Sequence, residues 1–232
     1  MAVNDVKVLG SWSSPYVIRT RIALNLKQVD YQFLQETFGA GKSELLLKSN
    51  PVYKKIPVLI HNDKPVCESL IIVQYVDEVF NGPSISILPS DPYDRALARF
   101  WAAYVDDKWF ASMQGIAAGK TDQEKKTAME GVSTGLELLE DAFQKLSKGK
   151  GFFGGETIGY LDIAVGSCLG WLRVAEKLSG TTFIDETKMS GLYGWAERFC
   201  SAPAVKDLIP ETEKLLEFIK MVFAKMNSAA LK

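Results

Sequence analysis

Ser14 stands directly before Pro15, and a serine followed by a first-turn proline marks a helix start whose N-cap is a hydroxyl. Coming after the short apolar run Val6-Lys7-Val8-Leu9, that hydroxyl meets free backbone N–H groups and the positive end of a helix dipole, a setting that favours an anion. The same serine also reads as a plain N-cap serving only its own helix. A second position is Ile56-Pro57-Val58, where Pro57 opens a strand without an N–H of its own. A cis Ile56-Pro57 bond would turn the chain sharply and leave the Ile56 N–H and C=O to an extended peptide; an ordinary trans proline is the alternative. At Glu68-Ser69 a carboxylate adjoins a hydroxyl where a strand gives way to a helix. The carboxylate can hold an ammonium while the hydroxyl and helix N-terminus hold a carboxylate, which together grip an amino-acid zwitterion. Taken singly, Ser69 is a cap and Glu68 a solvated charge. Lys42 and Lys55 offer cations to a second carboxylate, although lone lysines mostly lie on surfaces.

The elements that must carry these residues are read from periodicity. Val6 to Leu9 ends at Gly10 as a buried strand does, and Ile18, Ile22 and Leu26 repeat every four residues down one helix face. Tyr31 and Phe33 alternate with Gln32 in a second strand. Ser43 to Ser49 forms a short helix before Asn50-Pro51. Residues 57–60 and 64–67 flank the tight turn Asn62-Asp63 as a hairpin. Ser69 is expected to cap a further helix through Leu70, Val73, Val76 and Phe80. The order is βαβαββα, a small mixed sheet with helices. Breakers at Asn81-Gly82-Pro83 and Leu88-Pro89-Ser90-Asp91-Pro92 mark a linker, and the chain beyond it reads helical. Asp91-Pro92 and the capping box Thr121-Asp122-Gln123-Glu124 open helices. Ile163 to Leu172 is apolar all round, as in a helix at the centre of a bundle, with Asp162 capping from Gly159 and Ile158 stapled to Ile163. The expected division is 1–82, a linker 83–92, and a helical region 93–232.

Composition narrows the chemistry. A chain of 232 residues is one large domain or two modest ones, and its 47% hydrophobic and 24% charged residues are ordinary globular values. With 27 basic and 28 acidic residues the formal charge is -1, so no field gathers phosphate backbones or anionic lipid; neither nucleic acid nor membrane is an expected partner. His61 is the only histidine, which excludes HExxH zinc sites and leaves any serine triad dependent on that one residue, and it fits the hairpin tip better than a catalytic role. Cys67, Cys168 and Cys200 have neither disulfide nor zinc-ligand spacing, so no metal is expected and the compartment is expected to be reducing. Met-Ala-Val-Asn-Asp-Val-Lys holds no basic segment followed by an apolar stretch and no uncharged apolar run reaches ~18 residues, so neither a leader nor a membrane span is expected, and a cytoplasmic location is.

The helix-capping serine, the strand-starting proline and the Glu-Ser junction occur in order within one βαβαββα unit ahead of a helical region. In Ser14-Pro15-Tyr16-Val17-Ile18-Arg19, Asn50-Pro51-Val52-Tyr53-Lys54-Lys55-Ile56-Pro57-Val58 and Cys67-Glu68-Ser69-Leu70 the chain resembles the plant tau class of glutathione S-transferases. The likeness continues through Leu88 to Tyr93, Phe100-Trp101, Gly154-Gly155 and Gly159 to Ile163. The resemblance implies an α/β thioredoxin-like N-terminal domain followed by an all-α C-terminal domain, glutathione as co-substrate and a homodimer. It implies Ser14 as the catalytic serine, donating a hydrogen bond to the glutathione sulfur. Ile56 would pair its backbone with the cysteinyl part, Glu68 and Ser69 would hold the γ-glutamyl end, and Lys42 and Lys55 the glycine carboxylate. The charges agree: the tripeptide carries one ammonium and two carboxylates, against one anion, two cations and a helix N-terminus.

The resemblance further implies a pocket for hydrophobic electrophiles, lined by Trp12 beside the serine and, as candidates, by Phe110, Met113, Gln114 and Trp171. Bundle packing is the alternative for the aromatic and apolar members. Gln114 stands where related sequences often carry a cation. The activity implied is conjugation of glutathione to such electrophiles, with peroxide reduction as an accompanying activity. A non-catalytic carrier of apolar molecules is the rival reading. A thiol oxidoreductase would need cysteine where Ser14 stands.

Overall fold

The computed structural model describes residues 5–37, 41–80 and 86–230; the Asn81-Gly82-Pro83 part of the expected linker lies outside them. Residues Met1–Ser84 together with Pro210–Lys232 pack as one compact unit, and Ile85–Ile209 as a second.

In the first unit, β1 (Val6–Gly10) leads into α1 (Pro15–Leu26), β2 (Gln32–Gln35), α2 (Glu44–Ser49), β3 (Val58–His61), β4 (Lys64–Cys67) and α3 (Ser69–Val79), the βαβαββα order read from the sequence. The sheet runs β2-β1-β3-β4, with β1 parallel to β2 and antiparallel to β3, and β3 antiparallel to β4. Alternation sets its two faces. Leu9, Val58 and Ile60 cluster with Leu46 of α2, with Leu34, Ile56 and Cys67 packed at the margin. Val8 and Leu59, paired in register, point the opposite way towards α1 and α3. Gly10 permits a close approach, since a Cβ there would lie 2.4 Å from a Val17 methyl carbon of α1. The hairpin turn places Asn62 and Asp63 at φ 47° and 64°, the left-handed pair a two-residue turn demands. His61 is buried beside it, its Nδ1 2.9 Å from the Tyr75 hydroxyl. Lys27, at the end of α1, forms a buried ion pair with Asp77 of α3 at 2.7 Å.

The second unit holds α4 (Pro92–Tyr104), a π-helical stretch (Val105–Trp109), α5 (Phe110–Ala118), α6 (Asp122–Leu146), α7 (Tyr160–Gly166), α8 (Leu169–Ser179) and α9 (Ser190–Ser201). Asp91 caps α4 by accepting from the Tyr93 and Asp94 N–H groups, and the Thr121–Glu124 capping box opens α6. The single central helix expected over 163–172 is two: the chain breaks at Ser167-Cys168, where the Ser167 hydroxyl and the Cys168 thiol both turn back to the Ala164 carbonyl. Asp162 does more than cap α7. Its fully buried carboxylate accepts from the Gly159, Gly154 and Phe153 N–H groups at 2.9 Å each and from the Trp195 indole at 2.7 Å.

The last helix, α10 (Thr212–Ala230), is helical as expected but belongs with the first unit, so this division differs from the 93–232 region at its C-terminal end. Its Phe218 meets the Trp12 ring edge-on at 5.6 Å, and the Lys214 ammonium lies over the same ring at 4.5 Å.

Candidate active site

Strand register brings the singled-out residues of the first unit to one end of its sheet. Leu9 pairs with Val58 and Val58 with Cys67, so the end of β1, the start of β3 and the end of β4 are aligned. The parallel partner β2 also ends there, Gly10 pairing with Gln35. Ser14, Ile56, Glu68 and Ser69 lie on the connections leaving this end, and Lys42 lies on the β2–α2 connection that departs from it.

Ser14 is the N-cap of α1, in extended conformation, and its Oγ accepts from the Val17 N–H at a long 3.4 Å. It is half-buried, with Trp12 half-buried on the same connection. Beneath it Ser11 and Ser13 are buried with their hydroxyls 3.1 Å apart, and the Ser14 N–H donates to the Ser11 carbonyl.

The Ile56-Pro57 peptide is cis, Ile56 is half-buried and Pro57 is buried. The preceding loop is clipped by Asn50, a buried residue whose amide donates to the Lys55 carbonyl at 2.9 Å and accepts from the Tyr53 N–H at 3.1 Å. That clip sets the entry to Ile56. Sequence pattern does not disclose this role, since Asn50-Pro51 marks only a helix end there. Lys55 and Lys42 are both exposed, and Lys42 precedes Ser43, which caps α2.

At the Glu68-Ser69 junction the expected cap is corrected. Glu68 occupies the N-cap position at φ 71° and ψ 118° without a side-chain cap bond, and Ser69 is the first residue of α3. The left-handed backbone at a residue with a Cβ is strained, and it turns the Glu68 side chain out to solvent while Ser69 faces inward. The buried Ser69 hydroxyl accepts from Arg19 of α1 at 3.4 Å. Sequence reasoning misses Arg19, because its partner is 50 positions away and no local spacing announces it. Cys67, just before, has its thiol pKa pushed up by burial and by the neighbouring Glu68 charge, so it is not a ready nucleophile.

The remaining candidates lie in the second unit. Phe110 and Met113 on α5 are buried, Trp171 on α8 is half-buried and Gln114 is exposed. Among the described residues no group of His, Cys, Asp and Glu is arranged to hold a metal, and no helix is long and apolar enough to cross a membrane.

Comparison with known proteins gives this geometry its context. Residues 4–78 match the model of the glutathione S-transferase N-terminal domain and residues 93–198 that of the C-terminal domain. Glutathione S-transferase U18 of Arabidopsis thaliana is 60% identical over 98% of this chain and all of its own length, and U17 is 58% identical over 97% and 99%. Among solved structures, the tau-class enzyme of mango, Mangifera indica, superposes with a TM-score of 0.91 at 64% identity, covering 94% of this chain and 98% of the other. A rice glutathione S-transferase solved with glutathione gives 0.87 at 33% identity, over 97% and 99%. The thioredoxin-like sheet unit and the helical unit are those of these structures, and the chain belongs to the glutathione S-transferase family, in its tau class.

Proposed function

We propose that this protein binds glutathione at the sheet end that carries Ser14, Ile56, Glu68 and Ser69, and adds its thiolate to hydrophobic electrophiles. The observation that carries the reading is the division of labour on Ser14. The two readings of this serine, helix cap and catalytic hydroxyl, do not compete: a lone pair accepts from the Val17 N–H, and the O–H proton is left to donate to a sulfur arriving at the helix N-terminus. A free thiol has pKa ~8.5, and lowering it by about two units takes about 2.7 kcal/mol of preference for the thiolate. The dipole end of α1 and one charge-assisted hydrogen bond supply that order of energy. Glutathione is thus both co-substrate and the source of the nucleophile.

In this reading the Ile56 backbone pairs with the cysteinyl segment and Glu68 holds the γ-glutamyl ammonium. Ser69 holds the adjacent carboxylate, and Lys42 and Lys55 draw in the glycine carboxylate. Trp12, with its ring already engaged by Phe218 and Lys214, lies on the same connection as the serine and faces the electrophile. Phe110, Met113, Gln114 and Trp171 remain the candidates from the helical unit.

Ser14→Ala is expected to keep glutathione affinity within a few-fold and to lower turnover of a chloronitrobenzene by about ten- to a thousand-fold. Thiolate absorbance of bound glutathione at neutral pH should fall with it; unchanged absorbance removes Ser14 from the mechanism. Binding of apolar molecules without any turnover by the wild type would instead make the protein a carrier, and activity on hydroxyethyl disulfide an oxidoreductase.

The protein is further proposed to be cytoplasmic and a two-fold homodimer. Large apolar side chains exposed on each unit support assembly, among them Val52 and Tyr53 on the first and Tyr93 and Phe100 on the second. The spacing of Arg95 and Arg99, one helical turn apart, and of Asp77 and Glu78 at the end of α3 suggests pairing across such a dimer, but two of the four are engaged within the chain. Asp77 is buried against Lys27, and Arg95 donates to the Pro89 and Ser90 carbonyls of its own chain. Sedimentation equilibrium checks the assembly, and a wild-type monomer refutes it.

A further inference from the structure

We propose that Trp109 and Gly135 are specificity-determining residues that act through packing: their fit sets where α5 lies against α6, and so how Phe110 and Met113 are presented to the electrophile. The inference rests on the reading of Phe110 and Met113 as pocket residues and adds to it the pair that positions them.

Helix α4 does not run regularly into α5. In the π-helical stretch between them the Phe110 N–H donates to the Val105 carbonyl, five positions back, and a helix interrupted in this way changes direction. The course of α5 is therefore set by what it packs on. Trp109, Ser112 and Gly115, three residues apart, meet Gly135, Gly131 and Ala128 of α6 in reverse order, a close antiparallel approach. A Cβ at Gly135 would lie 2.4 Å from Trp109 Cδ1, and one at Gly131 would lie 2.6 Å from Ser112 Oγ. Trp109 is 1% exposed, and among the described residues its Nε1 has no acceptor. An indole placed without a partner for its N–H contributes through its bulk, and Gly135 is the socket for that bulk. Phe110 follows Trp109 directly and Met113 lies one turn further on, so both occupy the next face of the helix, about 100° round from the one on α6. Both are buried. A methyl at position 135 needs about 3.5–4.0 Å from the ring where 2.4 Å is available, so α5 has to move by about 1 Å. Close packing carries that movement to Phe110 and Met113, and a misplacement of about 1 Å in groups that orient a substrate is enough to change its rate.

The test uses allyl and 2-phenylethyl isothiocyanate, electrophiles alike in chemistry and unlike in size, with kcat/KM measured for each at saturating glutathione. Gly135→Ala is expected to lower the phenylethyl-to-allyl ratio by about fivefold or more, because the larger molecule meets more of the lining, while KM for glutathione changes by less than about twofold. Trp109→Phe in the Gly135→Ala background removes the indole that the methyl meets, and is expected to return the ratio to within about twofold of the wild type. Trp109→Phe alone inserts nothing into the core and is expected to shift the ratio by about threefold, so it decides the matter if Gly135→Ala does not fold. Equal losses on both isothiocyanates, or a ratio within about twofold of the wild type in the single variants, overturn the inference. A ratio that the double variant does not restore also overturns it, since ring and glycine then act separately. Phe110→Ala and Met113→Ala separate the two readings. If neither changes KM for either isothiocyanate, the pocket reading fails and takes the inference with it; if they change KM while Gly135→Ala and Trp109→Phe keep the ratio, the inference alone fails.

Discussion

Asp162 shows how much one side chain can hold. Its two oxygens receive four donors, from Gly159, Gly154, Phe153 and the Trp195 indole, yet burial outweighs those bonds and pushes its pKa up to about 6. The folded carboxyl thus binds its proton more tightly than the unfolded one. Its contribution to stability is full below about pH 4 and is lost as pH rises through about 6, a difference of about 3 kcal/mol. Asp162→Asn cannot titrate and offers one acceptor oxygen where two served four donors, so it should lower stability by a few kcal/mol. Urea unfolding should show the gap between wild type and variant narrowing from about pH 4.5 to about pH 7.5; a gap that widens contradicts the assignment. The Gly159 cap is legible in the sequence because it is local, closing over three positions, whereas Trp195 is 33 positions away and no pattern links it to Asp162. Ser14 is legible for the same reason, and Arg19 and the left-handed Glu68 are not. A buried cation declares itself only through its partner, and a strained φ at a residue other than glycine leaves no compositional trace.

Packing between helices α1 and α3 turns on the Lys27–Asp77 pair, whose side chains are 2% and 8% exposed. Lys27 also lies at the C-terminal end of α1, where a cation complements the dipole. Removing one member deprives the other buried charge of its ion-pair partner, so Lys27→Met and Asp77→Leu singly should each cost about 3–5 kcal/mol. The double variant should recover much of that loss, measured as a double-mutant cycle in denaturant; additive costs would show that the two residues act independently. Elements bounded by turn chemistry are legible almost to the residue: α1 by Ser14-Pro15, the hairpin by Asn62-Asp63, α6 by its capping box. The break between α7 and α8 is not, because the run is uncharged, apolar but for Ser167, and carries no proline. Its cause is two side chains turning onto one carbonyl, a competition that hydrophobic periodicity does not register.

The first unit is discontinuous, drawing its last helix from residues beyond the second. The chain beyond the linker reads helical in the sequence, but the allegiance of its last helix is not legible there, since an amphipathic face does not name the surface it will cover. On α10, Leu215 is fully buried, Phe218 meets the edge of Trp12 and Lys214 covers its face. A chain ending at Ile209 should therefore lose about 2–4 kcal/mol of protection in the first unit, read by hydrogen exchange in α1 and α3; unchanged exchange there would mean that α10 is only appended. The same discontinuity orders events during synthesis. Domains ordinarily mature from the N-terminus as the ribosome advances at about 5–20 residues per second. Here the sheet of the first unit emerges early but waits on the order of ten seconds, while residues 85–209 are translated, before its last helix exists. The second unit can close before the first is complete, so the nascent chain holds Trp12 and its neighbours uncovered for that interval, within reach of whatever chaperones attend the ribosome exit.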